Sequence, residues 1–141
     1  MIAIGSDHGG FKLKEKLKKY FIKNKIKFED LGNKELDPND DYPDYAKKVA
    51  KKISKSKDVG ILICGSSQGV CIVANKQKGI RAVSITNTRD ARLSRLHNDA
   101  NVLCLSGWNT SFIKAKSIVK VFLSTKFSNE VRHKRRIKKI E

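Results

Sequence analysis

A cysteine stands between an apolar run and a turn of small residues: Ile61-Leu62-Ile63-Cys64 leads straight into Gly65-Ser66-Ser67-Gln68-Gly69. Glycines let a backbone bend tightly and approach a ligand closely, and a turn that opens a helix leaves amide N–H groups without internal partners. Such groups hold a phosphate or a developing oxyanion. The positive helix end also favours the thiolate of a neighbouring cysteine, the form that acts as base or nucleophile. Cys64 fits equally the plainer role of a small hydrophobe finishing a strand, and Cys71 and Cys104 read as packing residues. Three further groupings carry chemistry. Ser6-Asp7-His8-Gly9-Gly10 joins a carboxylate, an imidazole and two glycines, and His97-Asn98-Asp99 offers a group that titrates near neutrality. Arg132 and Arg136 share a face if the tail is helical, so two guanidinium forks could grip one phosphate.

No Gly-Lys-Ser/Thr follows the Cys64 turn, and Gly5 to Gly10 lacks the GxGxxG spacing, so nucleotide and nicotinamide chemistry are not expected. Asp7, His8 and His97 could ligate a metal, but no dense spacing such as HxxxH supports it.

These residues need a scaffold, and short apolar runs alternate with helical periodicity throughout. Strands are expected over Met1–Gly5, Ile26–Leu31, Val59–Cys64, Ile80–Ile85 and Val102–Leu105. Helices are expected over Gly10–Lys25, from Tyr42-Pro43 through Ile53, and over Gln68–Lys78, Thr88–Leu96 and Ser111–Leu123. A polar loop spans Gly32–Asp41, and Ser128–Glu141 reads as a basic helix with few apolar anchors, suited to lying across a partner subunit. Continuous apolar strands imply a parallel sheet covered on both faces. The expected fold is therefore a single-domain, three-layer, doubly wound α/β sandwich over residues 1–141, with a five-stranded parallel sheet and an extended C-terminal helix. Ligands in such sheets bind at the strand carboxyl ends, and the Asp7, Cys64 and His97 groups are expected to converge on one edge.

The formal charge of +17 on 141 residues raises nucleic-acid binding. Most lysines, however, fall on the outward faces of amphipathic helices, so no nucleic acid is expected. The positive field would still speed capture of a small phosphorylated anion. Three cysteines without a CxxC spacing favour a reducing, cytoplasmic compartment. No apolar run approaches a membrane span, and Met1-Ile2-Ala3-Ile4 is too short for a leader, so no membrane association is expected.

Taken in order, Ser6-Asp7-His8-Gly9-Gly10, Asp41-Tyr42-Pro43-Asp44-Tyr45-Ala46, Cys64-Gly65-Ser66, Ala74-Asn75-Lys76, Gly79-Ile80-Arg81-Ala82, Leu93 through Leu103 and Arg132-His133 with Arg136 resemble the type B ribose-5-phosphate isomerase family. Its relatives act on galactose and allose 6-phosphates. The resemblance implies a cofactor-free, metal-free conversion between ribose 5-phosphate and ribulose 5-phosphate in the pentose phosphate pathway. It also implies a homodimer with shared sites, a tetramer being left open. By position, Cys64 becomes the base that moves a proton between C2 and C1 through a cis-enediolate. Ser66 and the backbone amides of Gly65, Ser67, Gln68 and Gly69 become the oxyanion cradle. His97 becomes the ring-opening acid assisted by Asp7, Asn98 a hydrogen-bonding partner of the sugar, and His8, Arg132 and Arg136 the phosphate ligands. A branch of the family uses a Glu base six residues further on; that position is Val70 here, leaving only the Cys64 route. Two positions depart from the pattern. Ser67 replaces a usual glycine, and Trp108 stands where many members carry a phosphate-binding arginine. Both bear on whether a five- or a six-carbon sugar phosphate is preferred. A non-catalytic phosphate or nucleic-acid binder is the competing class.

Overall fold

A computed structural model describes residues 1–140; the last residue of the expected domain and tail helix lies outside them. Five strands, β1 (Ile2–Ser6), β2 (Phe28–Asp30), β3 (Val59–Cys64), β4 (Ala82–Ser84) and β5 (Val102–Ser106), all pair in parallel in the order β2-β1-β3-β5-β4. The helices are α1 (His8–Lys23), α2 (Tyr42–Ile53), α3 (Gln68–Asn75), α4 (Thr88–Asn98), α5 (Phe112–Ser124) and α6 (Val131–Lys138). Strands β1, β3 and β5 are buried on both faces apart from the first residue of β3, which is why they read as unbroken apolar runs. On one face Ile4, Ile63 and Leu105 pack under Leu17, Phe21, Ile118 and Phe122 of α1 and α5, with Ala91 of α4. On the other, Leu62, Cys64 and Cys104 pack under Val49 and Ile53 of α2 and Val70 of α3. The doubly wound sandwich is therefore as expected. From β1 the chain moves outward to β2 and then returns past β1 to β3, which sets the switch point between β1 and β3.

Element ends differ from the sequence reading for local reasons. Asp7, in extended backbone, accepts the Gly10 amide at 3.1 Å and starts α1 two residues early. Glycine is required there because a Cβ on Gly10 would collide with the Ile63 carbonyl. Ser111 likewise turns out to be the N-cap of α5 rather than its first residue. The tail helix is shorter than expected, following Asn129 at φ 58°, and His133 is its buried residue.

The lysine reading has one clear exception. Lys14 is fully buried. Its ammonium donates to Asp30 at 2.8 Å and to the Asn33 carbonyl at 2.6 Å, and lies 3.2 Å from Glu15. Burial pushes the Asp30 carboxyl up, but hydrogen bonds from Lys14 and Lys18 outweigh it and hold Asp30 below its usual value.

Removing one partner of a buried ion pair leaves the other charge stranded. Lys14→Met is expected to destabilise the fold by about 3–5 kcal/mol in urea denaturation, where a loss under about 1 kcal/mol would mean Lys18 alone compensates Asp30.

Candidate active site

At the switch point, the carboxyl ends of β1 and β3 present the first group of candidate residues. Cys64 is the last residue of β3 and is 4 % exposed. The turn behind it is locked to the loop after β5. Gly107 donates its amide to the Cys64 carbonyl at 2.8 Å, Trp108 to Gly65 at 3.2 Å, and the Ser106 hydroxyl to Gly65 at 2.6 Å. The Ser66 side chain is exposed, and its hydroxyl accepts the Gln68 amide at 3.3 Å. Gly69 lies against the Tyr42 ring, which leaves no room for a Cβ. The turn thus places small side chains and backbone amides at the start of α3, beside the thiol, as an anion cradle requires.

Ser67 takes the left-handed conformation, φ 72°, that its usual glycine tolerates freely. The serine is held by its own hydroxyl, which pairs with the Ser66 carbonyl and with the Ser84 hydroxyl at 2.6 Å. Gln68 also reaches Ser84, at 3.4 Å. The serine thus adopts the left-handed conformation open to glycine without strain, and its hydroxyl is taken up within the turn and by Ser84.

Beside the cradle runs a polar chain that sequence reasoning missed. His8 Nδ1 lies 2.7 Å from Asp40, which also accepts the His8 amide at 2.9 Å. Asn33 donates to the other Asp40 oxygen at 3.0 Å and accepts from the Ser6 hydroxyl at 2.9 Å. The hydrogen bond to Asp40 holds the His8 pKa above its ordinary value, while burial raises that of Asp7. Asp7, His8 and Asp40 carry potential metal-ligand atoms within 4.8 Å of one another, and these already bond to each other or to α1. The only hint in the sequence was the density of Asp in the polar loop.

The second group lies elsewhere, which corrects the expected convergence. Helix α4 starts at the carboxyl end of β4 and runs back antiparallel to it, so His97 and Asn98, at its end, sit at the amino edge of the sheet. Arg81, just before β4, donates to the carbonyls of Asn98 and Asp99 at 3.0 and 3.1 Å, which fixes that position. The length of β3 alone puts about 20 Å between the two edges. One chain therefore unites Asp7, His8, Cys64 and the Gly65–Gly69 turn, and separately unites His97 and Asn98 with α6. The His97 and His133 rings are 4.5 Å apart, and His133 Nδ1 meets the Ser128 hydroxyl at 2.7 Å. Arg132 and Arg136 flank His133 and are exposed, Arg132 pairing with Glu130 at 2.7 Å.

The profile of the ribose/galactose isomerase family matches residues 2–140. Ribose-5-phosphate isomerase B of Escherichia coli is 39 % identical over 140 residues, covering 99 % of this chain and 93 % of its own. The crystal structure of a ribose 5-phosphate isomerase from Thermotoga maritima is 48 % identical, with a TM-score of 0.94 and coverage of 99 % and 95 %. That of ribose-5-phosphate isomerase B from Mycoplasma genitalium, with bound ribulose-5-phosphate, is 44 % identical, with a TM-score of 0.93 and coverage of 99 % and 92 %.

Strain and hydrogen bonding oppose each other at Ser67. Ser67→Ala keeps the strain and loses the bonds, so it is expected to unfold about 1–2 kcal/mol more easily than Ser67→Gly, which relieves the strain. Equal denaturation midpoints for the two variants would show that φ carries no penalty here.

Proposed function

The chain belongs to the ribose/galactose isomerase family, and from that premise we propose that it interconverts ribose 5-phosphate and ribulose 5-phosphate, with Cys64 as the base. The observation that carries the reading is the thiol at the tip of β3 beside an amide-lined turn, next to the Asp7–His8–Asp40 cluster. The ribulose-5-phosphate bound by the Mycoplasma genitalium relative supports the substrate.

We assign the steps as follows. An acid opens the furanose, a role for His97 with Asp7 assisting. The Cys64 thiolate then takes the proton from C2 of the open aldose. Negative charge moves to the oxygen at C1, and the Gly65–Gly69 amides and Ser66 stabilise the resulting cis-enediolate. The proton returns to C1 while the C2 hydroxyl passes its own to the C1 oxygen, leaving the ketose. Asn98 hydrogen-bonds the sugar, and His8, Arg132 and Arg136 take the phosphate. Proton transfer beside a carbonyl needs only a modest base and an anion cradle, which suits a thiol of ordinary size in a tight turn.

Because His97, Asn98, Arg132 and Arg136 stand at the opposite edge from Cys64, we assign them to the site of a second copy, giving a homodimer with two shared sites. The free thiols of Cys64, Cys71 and Cys104 fit a cytoplasmic enzyme of small phosphorylated sugars. A six-carbon substrate remains the alternative, since the family includes galactose isomerases, and comparing kcat/KM for ribose, allose and galactose phosphates decides between them.

Cys64→Ala is expected to abolish turnover of ribose 5-phosphate with chelator present, and full activity would remove the proposed base. Mixing Cys64→Ala with His97→Ala chains should restore about a quarter of wild-type activity, since half the dimers then hold one intact site. No recovery after proven subunit exchange would place every site residue on one chain. The raised pKa keeps His8 charged to higher pH, so KM should rise as pH climbs through that value. Asp40→Asn removes the cause of the shift and should bring the rise in KM to lower pH; an unmoved profile would detach His8 from phosphate binding.

A further inference from the structure

Trp108 is 73 % exposed, a large indole left in water on a backbone that is firmly held. Its amide bonds Gly65, the preceding amide bonds Cys64, and the six-membered ring lies so close over Gly65 that a Cβ there would collide with it. The ring forms one wall of a cleft of about 390 Å³. Leu36 and Pro38 also line the cleft, and the side chains able to carry charge there are His8 and Lys12. Aromatic and apolar walls with a few placed polar groups are the usual make-up of a small-ligand site. A pocket that is aromatic on one side and cationic on the other fits a ligand with an anionic end and a body rich in C–H bonds.

We propose that Trp108 is a substrate-contacting residue, its indole closing against the C–H face of the sugar while Lys12 joins His8 at the phosphate. This rests on the isomerase reading and adds two residues to it. The contact is made with ground state and transition state alike, so it sets KM rather than kcat.

Trp108 is the single tryptophan of the chain, so its fluorescence reports the site without background. Titrating the wild-type protein with ribose 5-phosphate should shift the emission saturably, with a midpoint near KM, while ribose at the same concentration leaves it unmoved. Trp108→Ala should raise KM about tenfold with kcat changed less than about threefold, Trp108→Phe should restore most of the affinity, and Lys12→Ala should raise KM in the same direction. An unchanged KM in Trp108→Ala, or emission that stays fixed at saturating sugar phosphate, overturns the proposal. So does emission that follows protein concentration but not ligand, which would mean that a partner subunit covers the indole. A saturable shift without turnover supports the contact and defeats the isomerase reading instead, so the two fail separately.

Discussion

In a parallel sheet every crossover helix must run back against its strands, and this constraint divides the candidate residues. Whatever ends a strand lies at one edge; whatever ends a helix lies at the other. Cys64 ends β3 and His97 lies one residue from the end of α4, so no loop adjustment within one chain can bring thiol and imidazole together across about 20 Å of strand. Side-chain reach does not close such a gap. If the thiol and the imidazole serve one site, as proposed, connectivity requires that a second copy supply one of them. Helices α4 and α6 hold His97 against His133, with the two arginines on either side of that histidine.

The thiol half is made rigid from beneath. Lys14 grips the carbonyl of Asn33, the Asn33 side chain orients Asp40, and Asp40 orients His8. A buried ammonium, linked to His8 through Asn33 and Asp40, thus helps to set where the imidazole points. Single-partner removal in such a chain costs more than the bond that is lost, because the remaining groups are buried with unmet polarity. The same rigidity appears on the other side of the turn, where β5 and its loop hold the carbonyls of Cys64 and Gly65. The turn is in this way held in shape by the protein alone, and pre-organisation of this kind is what an oxyanion cradle, as proposed, would need.

Much of this was legible in the residues. Unbroken apolar runs and 3.6-residue periodicity located all five strands and the helices between them, and the Cys64 turn declared itself by composition. Helix and strand ends were less visible because caps such as Asp7 and Ser111 act one residue outside the periodic pattern. Lys14 was indistinguishable from its solvated neighbours, since only the tertiary approach of Asp30 and Asn33 rewards its burial. Asp40 was hidden among the other acids of its loop. The placement of His97 beside Cys64 failed for a different reason. Direction of travel along α4 was already implied by the alternating pattern, and following it would have sent His97 to the far edge.

Charge distribution bears on how two such halves would meet. The chain carries +17 overall, which opposes self-association, yet the charge is unevenly spread. Of its 14 acidic residues, Glu35, Asp37, Asp40, Asp41 and Asp44 fall in one short segment beside the thiol half. Helix α6, beside the imidazole half, carries Arg132, Lys134, Arg135, Arg136 and Lys138 without an acid among them. A dimer that joined the two halves would bring the acidic segment of one copy toward the basic helix of the other. Complementary patches of this kind steer encounter and fix register more than they add affinity, so in such a dimer they would offset part of the net repulsion. The exposed guanidinium groups of Arg132 and Arg136 keep the α6 surface electropositive.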